Sequence, residues 1–230
     1  MRIAVIPARG GSKRIPRKNI KEFCGKPMIA WTIEAAKASG CFDVVIVSTD
    51  DEEIADVARQ YGGEVPFKRP DDLADDHTPT IPVIKHAVQW YEEYVKPVDF
   101  VCCLYATAPF LDAKDIQRGL SLLQENDTDY AFSVTSYAFP IQRALRMSDT
   151  GRVSMFQPEH FATRSQDLTE AWHDAGQFYW GTSNAWRTET PLFSEQSVAV
   201  PLPRYRVQDI DTSEDWTRAE WLFKALKEGE

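Results

Sequence analysis

What this chain lacks narrows it early. It has four cysteines, Cys24, Cys41, Cys102 and Cys103, with no CxxC pair and no histidine at metal spacing, which excludes a zinc cluster and points to reduced, buried thiols. Histidine is equally scarce. His77, His86, His160 and His173 show neither metal spacing nor a Ser or Cys partner that would make a covalent nucleophile. No run of about 18 apolar residues occurs, and the apolar opening Ile3 to Pro7 is too short for a signal sequence, so no membrane span and a cytoplasmic location are expected. Net positive charge is also missing. A net charge of -9 suits neither nucleic acid nor an anionic membrane, since both require clustered Lys and Arg on one face. Neither GxxxxGK[ST] nor GxGxxG is present, and no internal repeat is visible.

The remaining pattern is that of an α/β chain. Its 230 residues suffice for one well-buried domain with an appendage, and only marginally for two cores. Ile3 to Ile6 reads as a buried strand that meets a Gly-rich loop at Pro7. A helix from Pro27 to Ser39, a strand at Val44 to Val47 and a helix from Asp51 to Tyr61 follow, the last stopped by Gly62-Gly63. Helix Thr80 to Tyr94, strand Phe100 to Leu104, helix Ala113 to Asn126 and strand Tyr130 to Thr135 continue the rhythm. A Rossmann-like, mostly parallel sheet with helices on both faces is expected. From Ala138 to Asp174 the periodicity breaks, and this stretch is expected to leave the sheet, residues 138–164 forming a protruding arm on a single domain of 1–230. Val198 to Leu202 and Tyr205 to Ile210 read as extended, and Ser213 to Leu226 as a closing helix.

Cations are few overall but crowded at one place. Arg9, Lys13, Arg14, Arg17, Lys18, Lys21 and Lys26 lie within the first 26 positions, directly after a strand, where open α/β sheets bind ligands. Consecutive Gly10 and Gly11 let backbone N–H groups approach phosphate oxygens, Ser12 offers a hydroxyl, and Arg9, Lys13 and Lys18 neutralise charge. A solvated basic loop is the competing reading. Near the other end, Asp209 and Asp211 stand two residues apart after the extended run, which puts both carboxylates on one face. They repel unless a cation joins them, and one or two carboxylates completed by phosphates and water is the usual arrangement for Mg²⁺. Capping of the last helix by Asp211, with Glu214 three residues on, competes for one of the two acids.

The stretch IPARGGSKRIPRKN, from Ile6 to Asn19, resembles the signature of the CMP-sialic acid synthetase family. The resemblance implies a Mg²⁺-dependent cytidylyltransferase in which the anomeric hydroxyl of a 2-keto sugar acid attacks the α-phosphorus of CTP and pyrophosphate leaves. It implies nucleotide binding by Ala8, Arg9, Gly10, Gly11, Ser12, Lys18, Asn19 and Arg69, with Asn19 near the base or ribose. Arg9, Lys18, Asp209 and Asp211 become the catalytic set, both acids holding the metal. Arg69-Pro70, followed by Asp75-Asp76-His77-Thr78, resembles the family stretch whose arginine contacts nucleotide.

On the sugar side, Leu104 to Pro109 resembles the family's LQPTSP, but Tyr105, Ala106 and Ala108 replace Gln, Pro and Ser, so the acceptor pocket should be less polar. Tyr105 as core packing competes with a sugar contact. Ala162 to Leu168 resembles R-x-QDL, and Asp174 to Gly181 stands at the NGALY position with Gln177 and Trp180 departing from it. The implied sugar-binding residues are Tyr105, Thr107, Arg143, Arg164, Gln166 and Gln177. Together with Phe139 to Ala144, these features resemble most the pseudaminic acid cytidylyltransferase branch. Sialic, legionaminic or 3-deoxy-octulosonic acid stays open as the substrate, and so do a different class, an Asp-x-Asp glycosyltransferase, and a nucleotide-binding protein without chemistry. The expected partners are CTP, a small acidic sugar and a second copy of the chain. The apolar residues of the arm suggest a homodimer, and the resemblance implies that Arg164, or else Arg143, reaches the neighbour's site.

Overall fold

Alternate side chains of the first strand, β1 (Arg2–Pro7), enter two different cores, Ala4 and Ile6 the one, Ile3 and Val5 the other. Burial on both faces is why the sequence there is an unbroken apolar run. The computed structural model describes residues 1–75 and 77–229, so Asp76 lies outside the described residues. After β1 and its basic loop comes a tight hairpin, β2 (Glu22–Phe23) and β3 (Lys26–Pro27), then α1 (Met28–Ser39), β4 (Val44–Ser48) and α2 (Glu52–Gln60). The hairpin turn has positive φ at both central positions, Cys24 at 48° and Gly25 at 94°. α3 (Thr80–Tyr94), β5 (Phe100–Leu104), α4 (Ala113–Asn126) and β6 (Tyr130–Ser136) follow as expected. Beyond them lie β7 (Leu145–Met147), β8 (Val153–Met155), β9 (Trp172–Thr182), α5 (Ser183–Arg187), β10 (Ser197–Pro201) and α6 (Ser213–Glu228).

Six strands form one sheet in the order β10-β6-β9-β5-β1-β4. β4, β1 and β5 run parallel, as do β6 and β10, whereas β9 is antiparallel to both its neighbours, β5 and β6. Ile29 and Ile33 of α1, Ile54 and Ala58 of α2, and Ile116 and Leu120 of α4 cover one face. Ile84 and Val88 of α3 and Trp186 of α5 cover the other. Full burial of each such side chain is worth about 1.5–3 kcal/mol, so this double-sided core dominates the stability. A third cluster sits at the ligand-bearing end, where Ile15 and Phe23 pack with Ile210, Trp216 and Phe223. It fastens the basic loop and the acidic segment to the same helix, α6. Among the described residues no helix is long and apolar enough to cross a membrane.

Three sequence expectations change. β9 is an eleven-residue strand, in the middle of the sheet, inside a region expected to lie outside it or to serve the sugar site. Tyr205 to Ile210 is not extended; a 3-10 turn at Arg204–Arg206 leads into irregular backbone, so Asp209 and Asp211 sit on a loop. Between β6 and β9, residues 137–171 add no strand to the six-stranded sheet, a stretch longer than the 138–164 expected. Within it β7 and β8 pair only with each other, leaving Phe139 82% exposed, Met147 74% and Phe161 75%.

Candidate active site

The carboxyl ends of β1 and β5 open into a cleft of about 490 Å³. The basic loop supplies Arg9, Ser12, Lys13, Arg14, Lys18 and Asn19 to one side. Arg69, Tyr105 and Thr107 form the other, so seven of the sequence-derived site residues, Arg9, Ser12, Lys18, Asn19, Arg69, Tyr105 and Thr107, meet in one place. The first turn of α3 adds Thr80 and Val83, and Thr78 precedes it. These three were missed because a threonine or valine at a helix start carries no chemical signature. The start of a helix also presents unpaired N–H groups and the positive end of its dipole, which suits an anion.

Two of the loop's backbone N–H groups are already engaged within the protein. The Ala8 N–H donates to Ser48 O at 2.9 Å, Ala8 itself being fully buried, and the Gly10 N–H donates to Asp50 Oδ1 at 3.0 Å. Gly11 borders open space, its nearest neighbour being Arg9 Nη1 at 3.9 Å from a Cβ built there. Asn19 spans the loop from within, its Nδ2 donating to Arg9 O at 2.9 Å.

Arg69 is 3% exposed, not a surface ion-pairing residue. Its Nε donates to Ser48 Oγ at 3.1 Å and its Nη2 to the Ser48 carbonyl. Burial pulls its pKa down to about 10, Arg9 adding repulsion against the pull of Asp50, so it remains a cation at neutral pH in surroundings that favour an anionic neighbour. Tyr105 serves packing and the cleft together. Its ring lies 5.3 Å from that of Tyr179, and its hydroxyl is 3.1 Å from Thr80 Oγ1.

Across the cleft, Lys18 Nζ donates to Ile210 O at 2.7 Å and stands 3.4 Å from Asp211 Oδ1, while Arg14 Nη2 pairs with the same oxygen at 2.9 Å. Asp209 faces solvent, yet the protein crowding its carboxylate, and then the charge of Asp211, hold it above the ordinary carboxylate range, with Lys18 opposing. Such a pair of hard oxygen donors under mutual repulsion fits a divalent cation. Among the described residues no cluster of three His, Cys, Asp or Glu exists, so any such ion must complete its shell with substrate oxygens and water. Asp211 is not the helix cap. Thr212 caps α6, in a capping box with Asp215, so the cap claims neither acid; Asp209 and Asp211 do not themselves line the cleft, and Asp211 is tied to it through Lys18 and Arg14.

Other expectations move. Gln177 is 3% exposed and does not line the cleft; its Nε2 donates to Arg206 O at 2.6 Å, while Arg206 Nη1 binds Asp115 Oδ2 at 2.6 Å. These ties hold the segment leading to Asp209 from behind, and nothing in the local sequence of Asp115 or Arg206 announces them. Trp180 is buried on the α4 side, donating to Ile116 O and stacking on Phe42, so it belongs to the core and meets no sugar. Arg143, Arg164 and Gln166 lie on the exposed arm and do not line the cleft of their own chain. Arg164 pairs with Asp167 at 2.8 Å, and Arg143 donates to Ser165 Oγ at 3.3 Å.

Residues 3–217 match the Cytidylyltransferase family. The chain belongs to that family. This cytidylyltransferase is 46% identical over 226 residues to the pseudaminic acid cytidylyltransferase of Campylobacter jejuni, covering 98% of this chain and 97% of that one. It is 33% identical over 233 residues to the CMP-N,N'-diacetyllegionaminic acid synthase of Legionella pneumophila, covering 98% and 97% of the two chains. The fold of the cytidylyltransferase is shared with the solved CMP:2-keto-3-deoxy-manno-octonic acid synthetase complexed with CTP, with a TM-score of 0.70 at 18% identity over 97% of this chain and 98% of that one.

Proposed function

We propose that this enzyme joins CMP from CTP to pseudaminic acid, releasing pyrophosphate. The observation that carries the reading is one cleft lined by the cations Arg9, Lys13, Lys18 and buried Arg69, of which Lys18 also reaches the acidic segment at Asp211. A triphosphate needs the former, and a reacting α-phosphate with its cation needs the latter. The 46% identity to a pseudaminic acid cytidylyltransferase supports the choice of sugar. So does the wall made by Tyr105, Ala106 and Val83, which offers apolar surface where a more hydroxylated sugar would leave unpaired groups, at about 1–3 kcal/mol each.

Arg9 and Lys13 hold the β- and γ-phosphates, and Lys18, released from Asp211, meets the developing charge. The anomeric hydroxyl of the sugar acid gives up its proton and attacks the α-phosphorus, and pyrophosphate departs from the opposite side toward the loop cations. Positioning and charge neutralisation supply the rate. Asp209 and Asp211 would hold a Mg²⁺ ion, which would supply further charge neutralisation. CTP as substrate and four thiols without a disulfide support a cytoplasmic enzyme. The exposed apolar arm supports a homodimer, in which Arg164 or Arg143, with Gln166, is brought to a neighbour's sugar site.

The test is pyrophosphate release from CTP with purified protein and a panel of sugar acids. Pseudaminic acid should give the highest kcat/KM, with N-acetylneuraminic, legionaminic and 3-deoxy-octulosonic acids behind it. Faster turnover of N-acetylneuraminic acid would refute the sugar, and absence of turnover with every acid would refute the activity.

A further inference from the structure

Arg17 lies inside the basic loop but does not line the cleft. Its backbone φ is 56°, a left-handed conformation that an arginine holds only where its surroundings over-determine it. Those surroundings are explicit. Its carbonyl accepts the N–H groups of Ile20 at 3.0 Å and Lys21 at 2.9 Å. Its guanidinium reaches to the turn after β4, Nη1 donating to Asp51 Oδ2 at 2.5 Å and Nη2 to Asp51 Oδ1 at 2.9 Å, with Glu53 Oε2 as a further acceptor for Nη2. This fork on a carboxylate is the geometry that fixes orientation as well as distance.

The turn it grips is a hub for the nucleotide side of the cleft. Ser48 accepts from Ala8 and holds Arg69, and Asp50 accepts from Gly10. Asp51 caps α2 through Ile54, and a Cβ at Gly10 would lie 2.7 Å from its Oδ2, so only glycine lets the loop approach so closely. The Arg17 hydrogen bond, with the Ile54 amide assisting, draws the Asp51 carboxyl down to about 2, so the clamp stays charged throughout the neutral range. Directly after Arg17 comes Lys18, the residue that bridges to Ile210 and Asp211. A rotation at Arg17 therefore redirects Lys18.

We propose that Arg17 is a positioning residue, clamping the basic loop to the Asp51 turn so that Arg9, Lys13 and Lys18 converge on the triphosphate. The inference rests on the reading of this cleft as the CTP site. It is tested by calorimetric titration of CTP into the full-length protein, with steady-state kinetics and melting curves, on Arg17→Ala, Arg17→Gly, Arg17→Lys and Asp51→Asn. Arg17→Gly accepts the positive φ and so isolates the loss of the side chain, and Asp51→Asn keeps the α2 cap. CTP binding should weaken about tenfold in Arg17→Ala, Arg17→Gly and Asp51→Asn, and by less in Arg17→Lys, which reaches one acceptor at a time. KM for the sugar acid should barely change, while the melting temperature falls modestly at neutral pH as the ion pair with Asp51 is lost. Wild-type CTP affinity in folded Arg17→Gly and Asp51→Asn overturns the clamp while the nucleotide site stands. Failure of the wild-type protein to bind CTP overturns the site and the clamp together.

Discussion

Replacing Lys18 with Met removes the side chain that joins the basic loop to Ile210 and, together with Arg14, to Asp211. The methionine keeps most of the stem, which is only 20% exposed, so the packing around it survives and the loss is electrical. What disappears is a charge-assisted hydrogen bond of 2.7 Å to Ile210 O and the proximity to Asp211. A bond of that kind is worth about 1.5–3 kcal/mol, and if the same ammonium meets phosphate in the transition state, kcat/KM falls roughly tenfold to a hundredfold. A second signature follows from Asp209. Lys18 pulls the Asp209 pKa down against burial and Asp211, so its loss lets that pKa rise further. On the proposed metal-binding role, the ionised form is the active one. Activity is lost as pH falls through this pKa, and the acid limb of kcat/KM in the variant should therefore move to higher pH. Pyrophosphate release followed from mildly acid to neutral pH measures both effects. A variant with kcat/KM within about threefold of wild type and an unmoved acid limb would show that Lys18 is ordinary surface.

Asp209→Asn and Asp211→Asn should each abolish turnover, and EDTA should do the same to the wild-type enzyme until Mg²⁺ is returned; near-normal rates in both variants would end the metal assignment. Because the fold raises the Asp209 pKa, its ionised form costs stability above that pKa, so Asp209→Asn should melt no lower than wild type at neutral pH while losing activity. Trp180→Phe deletes the bond to Ile116 O and part of the stack on Phe42, which should cost about 1–3 kcal/mol in denaturant titrations and leave sugar preference alone. A changed sugar preference there would contradict its place in the core. Light scattering at micromolar concentration should give twice 26.2 kDa, and mixing Arg164→Ala with Asp209→Ala chains should restore some turnover. A fully active monomer would dispose of the shared site.

The local signals that the chain carries concern elements short enough to be governed by their own residues. A strand buried on both faces must be apolar throughout, as β1, β4 and β5 are, and a helix on a sheet must repeat its apolar residues at helical spacing, as α1 and α3 do. The basic loop was legible because seven cations gather there in an acidic chain, and four of them, Arg9, Lys13, Arg14 and Lys18, line the cleft. The acidic pair was legible as a pair, but its backbone was not. Extended geometry was expected from Tyr205 to Ile210, whereas Ile210 turns inward to pack with Ile15 and Trp216, a contact between segments almost two hundred residues apart.

Tertiary structure alone decided the rest. β9 breaks the alternation of strands and helices because its apolar residues are buried on both faces and its place is filled by neighbours, Gly181 lying so close to Tyr130 and Trp186 that a Cβ would fall 2.5 Å from Trp186 Nε1. Which face each residue of β9 meets, Trp180 to α4 and Gln177 to the loop of Arg206, follows from pairing with β5 and β6 and not from its own sequence. Arg69, Thr80 and Tyr105 become one wall for the same reason, since chain separation holds no information about side chains that meet across a sheet end. Composition and short-range period determined what kinds of elements form and where charge collects. The meeting of Arg17 with Asp51, and of Lys18 with Asp211, came from the packing of those elements, because a hydrogen bond depends on ångström distances that only the assembled sheet sets.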